Sequence, residues 1–138
     1  MGKPQAISIL GKPLNKRQRS LLRHLQKAND TIIVRKDAVN MRDLSALTAI
    51  CSVEFAMFTR SQERMVVRGD INYVNIDTTR AAELNADGWR WSGHTHPGTS
   101  EMALIASPND MKILREFTKQ EFSSTYDSFG RYSKFRKR

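Results

Sequence analysis

From Asn15 onward, the apolar positions switch repeatedly between a helical and a strand spacing. Leu21, Leu22 and Leu25 share one face behind Asn15, a capping residue, and predict a helix over about 16–28. Thr31-Ile32-Ile33-Val34 is β-branched and predicts a strand. Asn40 to Ile50 returns to the helical period, with Leu44, Leu47 and Ile50 in phase and Asp43 near the start. Val53 to Phe58 reads as a buried strand, with Arg64 to Arg68 as its partner through the polar turn Ser61-Gln62-Glu63. Gly69-Asp70 breaks this second strand, and Ile71 to Ile76 continues the sheet or bends around it. Thr78 to Leu84 suits a short helix, closed by Asn85, Asp87 and Gly88. Trp89, Trp91 and Gly93 lead a further strand into two histidines, and Ser107 opens a helix with Met111, Ile113, Leu114 and Phe117 inward. After Ser123 the chain is aromatic and basic and follows neither period. Helices and strands interleave without an internal repeat, so the fold class is α/β or α+β, a mixed curved sheet flanked by helices.

Composition narrows this picture. The 138 residues, 39% hydrophobic and 27% charged, describe one soluble globular domain, long enough to bury a core without staples. Cys51 is the one cysteine, which excludes a disulfide framework and a thiolate-built zinc site. It reads as a small buried residue at a helix end, in a reducing interior. No apolar run has the length of a membrane span. Met1 to Ala6 lacks a secretory apolar stretch, and Ala6 breaks the myristoylation pattern. The expectation is a cytoplasmic protein, or a domain exported within a larger toxin-like or phage chain. The formal charge is +9, concentrated in Lys12, Lys16, Arg17, Arg19, Arg23 and Lys27 at one end and Arg131, Lys134, Arg136, Lys137 and Arg138 at the other. These ends read as a basic helix at about 15–28 and a basic tail at about 123–138, solvated or in contact with an acidic protein or nucleic acid.

The densest chemistry lies in Trp91-Ser92-Gly93-His94-Thr95-His96-Pro97 and, after a loop, Ser107-Pro108-Asn109-Asp110. His94 and His96 fall two apart, so on a strand both imidazoles point to one face, and Pro97 ends the strand there. Ser-Pro-x-Asp is also a helix start, with Ser107 as cap and Asp110 in the first turn. If the loop folds back, Asp110 becomes a third ligand to an ion held by His94 and His96, and Ser107 faces the same place. Two imidazoles and one carboxylate leave a zinc ion an open position for water. A zinc site of this kind needs a carboxylate to carry protons. Glu54 lies inside an apolar strand, where a charge is out of place unless it faces a cleft. Glu101, in the loop beside the histidines, is the weaker candidate. His24, in the N-terminal basic helix, reads as solvated or partner-contacting.

Glu54, then His94-Thr95-His96-Pro97, then Ser107-x-x-Asp110 resembles the JAMM motif of the JAB/MPN metallopeptidases. The resemblance implies a JAB/MPN-like fold of cytidine-deaminase-like layout, matched from about residue 31 to 120. It implies His94, His96 and Asp110 as zinc ligands, Glu54 as the general acid/base and Ser107 as the hydroxyl that helps stabilise the oxyanion. It implies zinc-dependent hydrolysis of a peptide or isopeptide bond in a protein or peptide substrate. Nine residues separate Pro97 from Ser107, slightly more than in eukaryotic members. There is no evident ubiquitin-gripping insertion, and the compact build is more similar to bacterial or phage JAB domains. The competing readings are a basic nucleic-acid-binding module and a non-catalytic interaction module on the same fold. The first lacks a phosphate loop, a zinc finger or a stacking signature, since Trp89 and Trp91 alternate on a strand and read as core or groove lining.

Overall fold

The computed structural model describes residues 13–71 and 76–137; Met1 to Lys12, the middle of the Ile71–Ile76 segment and Arg138 lie outside the described residues. Helix α1 (Lys16–His24) starts on a reciprocal cap in which Asn15 accepts from the Gln18 N–H and the Gln18 side chain accepts from the Asn15 N–H. It is shorter than its predicted span. The Asp30 carboxylate accepts from the backbone N–H groups of Gln26 and Lys27, both at 2.9 Å, and turns the chain into strand β1 (Thr31–Arg35). Helix α2 (Met41–Cys51) opens on a second reciprocal cap, Asn40 with Asp43, and closes at Ser52 in the left-handed conformation.

Strands β2 (Phe55–Arg60) and β3 (Glu63–Arg68) form a hairpin, with Ser61 at φ 52° in its turn. Helix α3 (Thr78–Ala86) is capped by Asp77 and leads to strand β4 (Arg90–Thr95). Helix α4 (Pro108–Arg115) follows, capped by Ser107. The segment that followed neither period, read as a basic tail, forms two more strands, β5 (Phe122–Tyr126) and β6 (Tyr132–Arg136). Its periodicity was hidden because the inward side of β5 is Ser and Thr and one side of β6 is basic.

The class is α+β: among the described residues, four helices and a six-stranded mixed open sheet in the order β1-β3-β2-β4-β5-β6. Only the β4–β5 pairing is parallel. Two apolar layers lie on opposite faces, as the alternation in β2 requires. Phe55 and Met57 join Leu21 of α1, Leu25 just beyond it, and Leu44 and Leu47 of α2. Ala56 and Phe58 join Ala81 and Leu84 of α3, Ile113 and Leu114 of α4, and both tryptophans, which are core residues as expected. Cys51 is half-buried at the end of α2, where burial pushes its thiol upward against the opposing effect of Arg68. No described helix is long and apolar enough to cross a membrane.

An irregularity in β4 sets the phase of everything after it. Phe58 pairs with Trp91 and Met57 with Gly93, so Ser92 is an extra residue, a β-bulge. In an unbroken strand Trp91 and His94, three apart, face opposite ways. Across the bulge they face the same way, and indole and imidazole stack with centroids 5.0 Å apart. Gly93 and Thr95 turn to the α2 face, where the Thr95 hydroxyl bonds that of Thr48 and accepts from the Phe55 N–H at 2.9 Å.

Gly93 is required by closeness. A methyl group there would lie 3.1 Å from the Ser124 carbonyl oxygen and 3.2 Å from the Met41 sulfur, so the β5 backbone would have to shift by a few tenths of an ångström to admit it. Gly93→Ala is expected to lower stability by about 1–3 kcal/mol. Urea unfolding checks this, and an unchanged midpoint would show that β4 and β5 separate freely.

Candidate metal centre

Three elements converge at one end of the sheet on the α4 side. Glu54 immediately precedes β2 and is fixed by its backbone: its N–H donates to the Asp70 carbonyl at 2.9 Å and its carbonyl accepts from the Gly69 N–H at 2.7 Å. It shares a face with Ala56 and Phe58 and is 5% exposed. His94 is the penultimate residue of β4, fully buried between Trp91 and Phe135, whose ring meets it edge-on at 5.8 Å. His96 lies just beyond, its N–H donating to the Tyr126 carbonyl of β5 at 2.9 Å. Asp110 sits in the first turn of α4, where the cap faces the sheet.

The loop does fold back. His94 Nε2 lies 3.0 Å from His96 Nε2 and 3.0 Å from Asp110 Oδ2, and His96 Nε2 lies 3.4 Å from the same oxygen. Glu54 Oε2 is 3.6 Å from His96 Nε2. Glu54, His94 and His96 form a buried group that could hold a metal ion, each offering a ligand atom within 4.8 Å of the others. Asp110 Oδ2 stands closer still to both imidazoles. It also accepts from the Ser107 N–H at 2.8 Å, while Ser107 Oγ accepts from the Asp110 N–H at 3.0 Å. Ser-Pro-x-Asp is therefore a helix start whose carboxylate also faces both imidazoles. Glu101 is exposed on a 3-10 turn (Glu101–Leu104), outside this cluster, and His24 is exposed on α1, on the other side of the sheet.

Imidazole and carboxylate donors at this spacing could hold a metal ion, and the spacing can be compared with that around zinc. Bonds of about 2.0–2.1 Å in a tetrahedral arrangement put neighbouring donors roughly 3.3 Å apart, close to the triangle that His94, His96 and Asp110 make. His96 Nδ1 donates to the Ala103 carbonyl at 3.1 Å, so loss of the second ring proton would turn an Nε2 lone pair toward the cluster. The Ser124 backbone lies near His94, yet Nδ1 has no partner in hydrogen-bond geometry.

Ionisation follows from burial and proximity. Burial pushes the Glu54 carboxyl from its ordinary value near 4.5 up to about 8; His96 opposes this and Asp110 reinforces it. Burial would raise Asp110 too, but hydrogen bonding to His94 and His96 and the Ser107 N–H holds it well below the usual carboxylate range. Burial lowers His94 despite Asp110. Burial also opposes charge on His96, but Asp110 and Glu54 outweigh it and raise the ring.

Several parts of the site carried no sequence signal. The Ala103 carbonyl is a backbone group, and Phe135 reaches His94 from a strand that was not assigned. The loop is braced by the β5–β6 turn: Gly98 and Ser128 exchange hydrogen bonds at 3.0 Å, and Arg131 and Ser133 donate to the carbonyls of Thr99 and Leu104. No protein family, curated protein or solved structure compared with this chain matches it.

The raised Glu54 value carries a sign for stability. Below about pH 4.5 the residue is protonated in the folded and the unfolded chain alike. Between about 4.5 and 8 the unfolded chain loses the proton while the folded chain keeps it, so stability falls as pH rises. In chelator, Glu54→Gln is therefore expected to be more stable than the native chain at pH 8, by on the order of a few kcal/mol. The gap closes toward pH 4.5. Paired urea titrations at both pH values check this, and a gap independent of pH would refute the buried, protonated Glu54.

Proposed function

We propose that this chain is a zinc-dependent metallopeptidase of the JAMM type, on a fold of JAB/MPN, cytidine-deaminase-like layout, that hydrolyses a peptide or isopeptide bond. One observation carries the reading: His94 Nε2, His96 Nε2 and Asp110 Oδ2 meet within 3.0–3.4 Å, with Glu54 beside them. In this reading His94, His96 and Asp110 hold Zn²⁺. The ion, when bound, polarises the scissile carbonyl and lowers the pKa of water toward about 7.

The chain's own residues supply the rest. Glu54 takes the proton of the attacking water and returns it to the leaving amine. Glu54 is buried beside the proposed ligands, with Oε2 3.6 Å from His96 Nε2, which places it to do both. Ser107 Oγ already accepts from the Asp110 N–H, so its own O–H is left to donate to the carbonyl oxygen as negative charge develops there. Ser107 is half-buried, within reach of a substrate arriving from solvent. The rigid strand end and the helix cap keep these groups in place before substrate binds. A single, half-buried cysteine fits a reducing, cytoplasmic setting.

Elemental analysis of untagged protein is expected to give about one zinc per chain. His96→Ala is expected to lose both metal and hydrolysis. Glu54→Gln is expected to keep the zinc while kcat/KM on a cleaved peptide falls by roughly 10²–10⁴-fold. No zinc after supplementation would overturn the reading, and normal hydrolysis by Glu54→Gln would remove Glu54 from it.

A further inference from the structure

Strand β6 ends the sheet, and its hydrogen-bonding phase can be read from its neighbours. The Lys137 N–H donates to the Glu121 carbonyl and the Asp127 N–H to the Arg131 carbonyl. Residues 123/135 and 125/133, in the same phase, are therefore the hydrogen-bonded pairs of the β5–β6 ladder. The N–H and C=O groups of Tyr132, Lys134 and Arg136 point the other way, out of the sheet. None of them has a hydrogen-bond partner among the described residues. An edge of this kind is a template for one more strand.

The edge opens into a groove whose opposite wall is the Leu104–Ala106 segment and the outer side of α4. Ile105 is 56% exposed there and, with Met111, gives the wall an apolar part. Lys112 and Arg115 are exposed on α4 and form no ion pair among the described residues. Among the described residues, no carboxylate lines the groove. On the other face of β6, Lys134 and Arg136 lie over the Phe122 ring at 4.6 and 5.8 Å, so their charged ends stay beside the same edge. A strand added to β6 presents its side chains alternately to the two faces. One set meets Lys112 and Arg115 and the other meets Lys134 and Arg136.

We propose that the β6 edge binds an extended acidic peptide segment by strand addition, and that this groove is the track along which substrate reaches the metal centre. The first half stands on the edge alone; the second rests on the metallopeptidase reading. The link between them is the groove wall itself. Ala103, one residue before it, accepts from His96, and Ser107, one residue after Ala106, caps α4 beside Asp110. Main-chain pairing gives affinity without demanding a particular sequence, and the cations select against basic segments. A nucleic acid satisfies the cations but leaves the row of N–H and C=O groups unmatched.

The test uses the full chain in chelator, so that binding is measured apart from metal and turnover. The probes are a fluorescein-labelled Glu-Thr decapeptide, the same peptide N-methylated at every residue, a Lys-Thr decapeptide and a twenty-nucleotide oligo-dT. The Glu-Thr peptide is expected to bind, with N-methylation weakening it at least tenfold and the Lys-Thr peptide not binding. Lys112→Glu with Arg115→Glu is expected to weaken the Glu-Thr peptide at least tenfold. The same reversal at Arg35 and Lys36, by the opposite edge, is expected to change it less than twofold. Equal binding of the methylated peptide, tighter binding of oligo-dT, or no binding of the Glu-Thr peptide overturns the proposal. Binding that survives in a chain shown to take no zinc leaves the edge site standing and removes the metallopeptidase reading and the track.

Discussion

The extra residue in β4 is the constraint on which the site depends. Without Ser92 as a bulge, the tryptophan that anchors the α3 and α4 layer and the histidines that follow it would lie on opposite faces of the sheet. With it, one strand packs its first half into the core and aims its end at α4. The stacking of Trp91 on His94 and the edge contact of Phe135 then fix the imidazole by packing alone. A bulge costs local ladder pairing, and here that cost sits beside the one place where a strand must re-aim its side chains.

A second economy lies in Asp110. One carboxylate oxygen closes the first turn of α4 and faces both imidazoles. Its negative charge is favoured there by the helix N-terminus and by two ring nitrogens, so the same interaction that starts the helix sets the electrostatics of the cluster. Glu54, a few ångströms away, has no such support and is pushed toward its neutral form. Two carboxylates in one buried cluster are thus driven apart in acidity by their surroundings.

Much of this was legible in the chain. The reciprocal caps at Asn15 and Ser107 are local devices, and both helices start where the capping residue predicted. The anomaly of Glu54 in an apolar strand pointed into the cluster because strand alternation is itself local. What escaped depends on distant partners. The end of α1 is decided by Asp30, whose carboxylate competes for two backbone N–H groups. Strands β5 and β6 lack a clean period because Ser123 and Thr125 face inward and find buried partners or neighbours only once the sheet is built. The bulge left no mark beyond Ser92-Gly93, a pair equally at home in a regular strand. Ala103 contributes a carbonyl, which no side-chain pattern announces.

The order of the chain gives these strands a further meaning. Glu54, His94, His96 and Asp110 have all been made before Phe122, yet the groups that hold the histidines come afterwards. Tyr126 supplies the carbonyl that ties down His96, the Asp127 to Arg131 turn braces the loop between the histidines and Ser107, and Phe135 closes over His94. A chain still emerging from the ribosome therefore carries all four side chains of the cluster without their final alignment. The geometry of the cluster arrives with the closing of the sheet, so a growing or truncated copy holds its side chains without their arrangement.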